Sequence, residues 1–215
     1  MQPAPFPAGG FIRCNIGAST FPRAARRLGT KAHPSERRAQ VCYGAAMTTS
    51  LMGDAFAHHV WATLKVIDEC LALSPEQLQT AVPGTYGSIL DTMRHTVGAD
   101  SSYLYVVTGG RVPLIDEDHM DLPELRATME GYGAAWSELL ADALDPDAVL
   151  ERHRDDGSET HAPLSIRLAQ ALHHGTDHRS QICTALTTLG VEPPAIDVWD
   201  FGWQDGRVVE ISPTS

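Results

Sequence analysis

Cysteine is scarce and scattered in this sequence. Cys14, Cys42, Cys70 and Cys183 are the only four in 215 residues, and no two form a CxxC pair. That usage argues against a disulfide framework and fits free thiols in a reducing cytoplasm. Cys183 falls inside a helical pattern, where a cysteine is usually inert packing rather than a nucleophile. No hydrophobic run approaches the length of a membrane span. Cations are few beyond the start of the chain. Residues 1–46 hold seven Lys or Arg against the single acid Glu36, a charge of +6, so the remainder carries −17 of the net −11. An acidic globular part argues against nucleic acid as a partner. Several catalytic signatures are missing too. There is no GxSxG elbow and no Walker glycine loop, and Gly175 follows His174, so the glutamate base of an HExxH protease is lacking.

What is present is helical periodicity, with 43% hydrophobic residues to supply one core. Residues 1–46 lack it. They are rich in Pro, Gly, Ala and Arg and resemble a transit peptide only loosely, since no clean amphipathic run occurs. They read as a disordered basic extension, with the folded domain over 47–215. A first helix is predicted over 51–73, with Phe56, Val60, Leu64, Ile67 and Leu71 on its stripe and His58 and His59 off it. Residues 76–83 form a connection. A second helix spans 88–108, where Ile89, Met93, Val97, Leu104 and Val107 make the apolar face. Asp116, Glu117 and Asp118 lie in the loop that follows; they read as solvated surface and lack EF-hand spacing. A third helix, 122–144, points Leu125, Met129, Tyr132, Trp136, Leu139 and Leu140 inward. Asp155-Asp-Gly-Ser158 is flanked by short runs that suggest a hairpin, with His153 and His161 facing solvent. A fourth helix runs over 164–189, ahead of an irregular aromatic tail around Trp199, Phe201 and Trp203 that should pack across one end of the helices. The expected fold class is all-α, a four-helix bundle with a short hairpin or loop between the third and fourth helices.

The fourth helix carries the chemistry. His174 and His178 are four apart, hence one turn over the other and about 5–6 Å apart at Cβ. Ala171, Gly175, His178, Ile182, Ala185 and Leu189 follow the spacing of a buried stripe, and His174 lies on the adjoining row. Such a pair is either two satisfied histidines or half of a metal site. On the second helix His95 shares a row with Ser88, Thr92, Ala99 and Ser102, the pattern of a helix bordering a polar cavity, although an ordinary helical histidine fits as well. One imidazole plus a pair on a neighbouring helix would make an open metal site with a position left for water or substrate. Asp177, Arg179 and Gln181 are close enough to orient those rings, and equally fit an ordinary soluble helix face.

These segments resemble the DinB/YfiT-like family of four-helix-bundle proteins. The matching residues are Phe56-Ala-His-His-Val-Trp61-Ala, Gly87-Ser-Ile-Leu-Asp-Thr-Met-Arg-His95, His174-Gly-Thr-Asp-His178-Arg-Ser-Gln181 and the closing Pro194-Ala-Ile-Asp-Val-Trp199. The resemblance covers roughly residues 47–206, and the order of the motifs is more specific than any one of them. It implies that His95, His174 and His178 bind a divalent ion, with zinc, nickel and iron all suited to imidazole. Where the family often has an asparagine before the Trp-Ala of the first helix, this chain has His58-His59-Val60, which leaves open a fourth contact from that helix. Similar proteins include metal-dependent thiol transferases and a thiol-dependent isomerase. The activity expected from the resemblance is transfer of a low-molecular-weight thiol to an electrophilic small molecule. A metal-assisted hydrolase and a non-catalytic, stress-related binding bundle are the alternatives. No nucleic acid or membrane partner is expected, and a homodimer is a possible state.

Overall fold

The computed structural model describes residues 50–154, 156–211 and 213. The disordered extension expected over 1–46 lies outside these residues. The described chain is mostly helical, with six α-helices and one two-stranded sheet: α1 Leu51–Cys70, α2 Pro75–Leu78, α3 Ile89–Val107, α4 Leu122–Ala141, β1 Val149–His153, β2 Glu159–Pro163, α5 Leu164–Thr188 and α6 Val198–Gln204. None is long and apolar enough to cross a membrane.

Local chemistry sets the helix starts. Ser50, Ser88 and Asp121 cap α1, α3 and α4 by accepting from the backbone N–H three residues on, and Asp121 with Glu124 completes a capping box. Gly109, at φ 63°, follows the C-terminus of α3 in the left-handed region that a side chain would resist.

Packing then joins the long helices. α1 lies against α4 and α5, and α3 lies against the same two, so each touches two of the others. Trp136 of α4 and Phe56 of α1, each 1% exposed, meet at the centre with ring centroids 4.4 Å apart. The hairpin pairs β1 with β2 antiparallel, Arg152 opposite Thr160, and lies against α3 and α5.

Three expectations need correcting. α1 ends at Cys70 rather than 73 and α4 at Ala141 rather than 144. Phe56, Val60 and Ile67 of α1 are buried as expected, but the buried face is wider: His59, Thr63, Val66 and Cys70 are buried too, while Leu71 is exposed. Polar partners waiting on α3 and α5 draw that face inward. The aromatic tail is also less irregular than expected, because Asp197 caps the short helix α6. The tail does pack on α1. His58 Nε2 lies 2.8 Å from the Ile196 carbonyl, and the Trp61 indole N–H donates to Gln204.

Candidate metal centre

His174 and His178 project from α5 toward α3, and the packing of these two helices brings His95 to meet them. His174 Nε2 is 3.1 Å from His95 Nε2 and 3.1 Å from His178 Nε2. One nitrogen from each ring lies within 4.8 Å of the other two. Three nitrogens at zinc bonding distance, arranged tetrahedrally, would be separated by about 3.4 Å, close to the spacing here. The donor chemistry fits an ion as well. The Tyr86 backbone N–H donates to Gln181 Oε1 (2.9 Å), which fixes that atom as an acceptor. His178 Nδ1, 3.1 Å from the same oxygen, must therefore carry its proton, and Nε2 keeps a bare lone pair aimed at the cluster. His174 Nε2 lies within hydrogen-bond reach of both His95 Nε2 and His178 Nε2 and could donate to only one. Burial lowers all three histidine pKa values. His174, beside His178 and His95, falls to about 4. The neutral ring that binds metal is thus the favoured form at neutral pH.

Residues 47–210 match the sequence profile of the DinB family. The chain belongs to that family. No curated protein matches the chain closely enough to lend it an activity.

Around the three rings the DinB domain adds groups that sequence reasoning passed over. Arg94, Gly98 and Ser101 line one face of α3. Arg94 Nε donates to the Met120 carbonyl, and Ser101 Oγ accepts from the Ile115 N–H, so both ends of the loop are held. The turn Glu117–His119 is thereby seated with Glu117 over Gly98, where a Cβ would overlap its carboxylate. Glu117 is therefore not the solvated loop acid expected. It is half-buried, with Oε1 3.7 Å from His95 Nδ1, and burial, with Asp118 next, raises its pKa. Asp116 and Asp118 are exposed, as expected. Tyr86 stacks on His95 with centroids 4.1 Å apart and meets His178 edge-on. His95, Gly98, Ala99, Ser102, Tyr103, Glu117, Arg152 and His174 line a cavity of about 240 Å³.

Of the three residues expected to orient the rings, only Gln181 touches one. Asp177 is exposed and acts on His174 and His178 through its charge alone. Arg179 turns away to a separate buried cluster. Its NH1 donates to His59 Nδ1 (3.0 Å) and Thr63 Oγ1 (3.0 Å), and its NH2 to Thr176 Oγ1. A guanidinium can only donate, so His59 Nδ1 accepts and Nε2 carries the proton it gives to Asp100 Oδ2 at 2.8 Å. Both nitrogens of His59 are spent, and it has no lone pair for a metal. His58 is engaged with the tail. Helix α1 thus adds no fourth ligand. Gly175 permits this arrangement, since a Cβ there would run into the His59 ring. The described thiols stand apart from the chemistry. Burial pushes Cys70 up to about 12 and also raises Cys183, so neither is a ready thiolate.

Proposed function

We propose that this DinB domain is a divalent-metal-dependent enzyme that transfers a low-molecular-weight thiol to an electrophilic small molecule, with His95, His174 and His178 holding the ion. The observation that carries the reading is the convergence of three neutral imidazole nitrogens beside a cavity. When bound, a divalent ion supplies Lewis acidity that makes a thiolate available at neutral pH. The residues do the rest. Neutral ligands leave the ion's positive charge undiminished, Gln181 sets the tautomer of His178, and Glu117 lies beside the outer nitrogen of His95. The raised pKa values of Cys70 and Cys183 support an external thiol as nucleophile. The closed contacts among α1, α3, α4 and α5 support a four-helix bundle, and the family match over 47–210 supports 47–215 as the domain. The acidic composition beyond residue 46 and the free Cys70 and Cys183 support a cytoplasmic protein without nucleic acid partners.

The test combines elemental analysis of protein purified without a histidine tag with turnover of a thiol and a generic electrophile, with and without added metal. About one ion per chain, lost in His174→Ala and kept in His153→Ala, together with metal-dependent turnover, is the expected result. Bound metal without turnover would leave a non-catalytic binding domain, and hydrolysis without thiol a metal-assisted hydrolase.

A further inference from the structure

The hairpin has an unusual inward residue. Along β1 the side chains alternate, with Val149, Glu151 and His153 exposed and Leu150 and Arg152 half-buried. The outer face is self-contained, because His153 and His161 pair with Glu151 and Glu159. The inner face is not. Arg152 lines the cavity that opens on His95 and His174, and its guanidinium makes no hydrogen bond or ion pair among the described residues.

Further cations, Arg154 and Arg167, stand near it, against the acidic character of the domain. Arg167, 8% exposed, donates from NH2 to the carbonyls of Leu150 and Thr160 at 2.8 Å each and is paired with no carboxylate among the described residues. Burial first, then the charges of Arg152 and Arg154, lower its pKa. Ser102 lines the same cavity, and its buried hydroxyl has no hydrogen-bond partner. Glu117 lines the same cavity, but its carboxylate lies against Gly98 and His95 and forms no ion pair with Arg152 among the described residues. An ion on the three histidines and the Arg152 guanidinium would put positive charge at two points of the same cavity, which favours an anion between them. An arginine fork and a hydroxyl donor are a matched pair for a carboxylate.

We propose that Arg152, assisted by the Ser102 hydroxyl, binds a carboxylate of the small molecule that occupies this cavity, so that the site selects acids over their neutral analogues. This rests on the proposed function in taking the cavity as the substrate site. At about 240 Å³ the space is below the roughly 300–1,000 Å³ of pockets for drug-sized ligands, which favours a short-chain acid. The carboxylate can belong either to the thiol or to its electrophilic acceptor.

Calorimetric titration of the full chain separates these sources. The probes are 3-mercaptopropionate against 3-mercaptopropanol for the thiol, and maleate against dimethyl maleate for the acceptor, each with and without zinc. At least one acid should bind about tenfold more tightly than its neutral partner. That ratio should fall to about one in Arg152→Gln and be partly kept in Arg152→Lys, with zinc content and melting temperature matching the wild type. The pair that discriminates identifies which reactant carries the carboxylate. Equal binding of acid and neutral analogue in the wild type, or a ratio unchanged in Arg152→Gln, would overturn the proposal. Zinc content of His174→Ala, measured alongside, reports on the metal site separately. If that site fails while the acid preference persists in zinc-free protein, the role of Arg152 stands and the metal-dependent reading falls.

Discussion

The domain contains two histidine clusters that share helices α3 and α5 and differ in how their hydrogen-bonding capacity is used. At His59 the ring accepts from Arg179 and donates to Asp100, and the charges of guanidinium and carboxylate balance inside the core. At His95, His174 and His178 the Nε2 atoms of the rings converge beside a cavity, with no carboxylate or guanidinium to satisfy them among the described residues. The first cluster is closed and belongs to the fold. The second is open and available to a ligand. What distinguishes them is not histidine itself, nor burial alone, but whether both ring nitrogens have partners.

Breaking the closed cluster should have the largest effect. Arg179→Met leaves Asp100 and His59 buried without the guanidinium, and should lower the unfolding free energy by about 3–5 kcal/mol in urea denaturation. Altering the open cluster should act on ligands instead. Glu117→Gln and Gln181→Met each disturb a group at the outer nitrogen of a ligand histidine, and should weaken zinc affinity by about tenfold or more while barely moving the denaturation midpoint. A drop in stability as large as that of Arg179→Met would erase the distinction between the clusters.

The smallest effect is protonic. The pKa of His174 is depressed from 6.5 to about 4 in the folded protein, so the unfolded chain binds more protons between those values. Its stabilising contribution is fully present above pH 6.5 and is lost as the pH falls toward 4. His174 is only half-buried, and solvent screening reduces the effect to about 1 kcal/mol. Comparing metal-free wild type with His174→Ala across this window should show a flatter pH profile in the variant. Zinc binding should add stability at pH 7.5, about 2.7 kcal/mol at a hundredfold excess over Kd, and lose it through the same window.

Much of this was legible along the chain, and the gaps have physical causes. Helical periodicity located four long helices, and the DinB motifs singled out His95, His174 and His178. Helix ends were misplaced by about three residues because the periodicity outlasts the last hydrogen-bonded turn. Asp177 and Arg179 were grouped with Gln181 by proximity, yet residues two apart on a helix point about 200° apart, so Arg179 faces His59 instead. Glu117 stood in an acidic run that reads as solvent-facing. One signal was available: Gly98 and Gly175 lie inside helices at a cost of about 1 kcal/mol relative to alanine, and each marks a place where another side chain comes too close for a Cβ.

Sequence alone determined what travels with local spacing: which segments coil, where serine and aspartate cap them, and that His174 and His178 share a helix face. The tertiary structure decided which nitrogens were spent and which were left bare. Asp100 meets His59 across 41 residues, Arg179 meets it across 120, and His95 meets His174 across 79. Hydrogen bonding acts over about 3 Å, and a helical sequence specifies the direction of a side chain only relative to its own axis. The roles of these histidines therefore depend on how α1, α3 and α5 pack against one another.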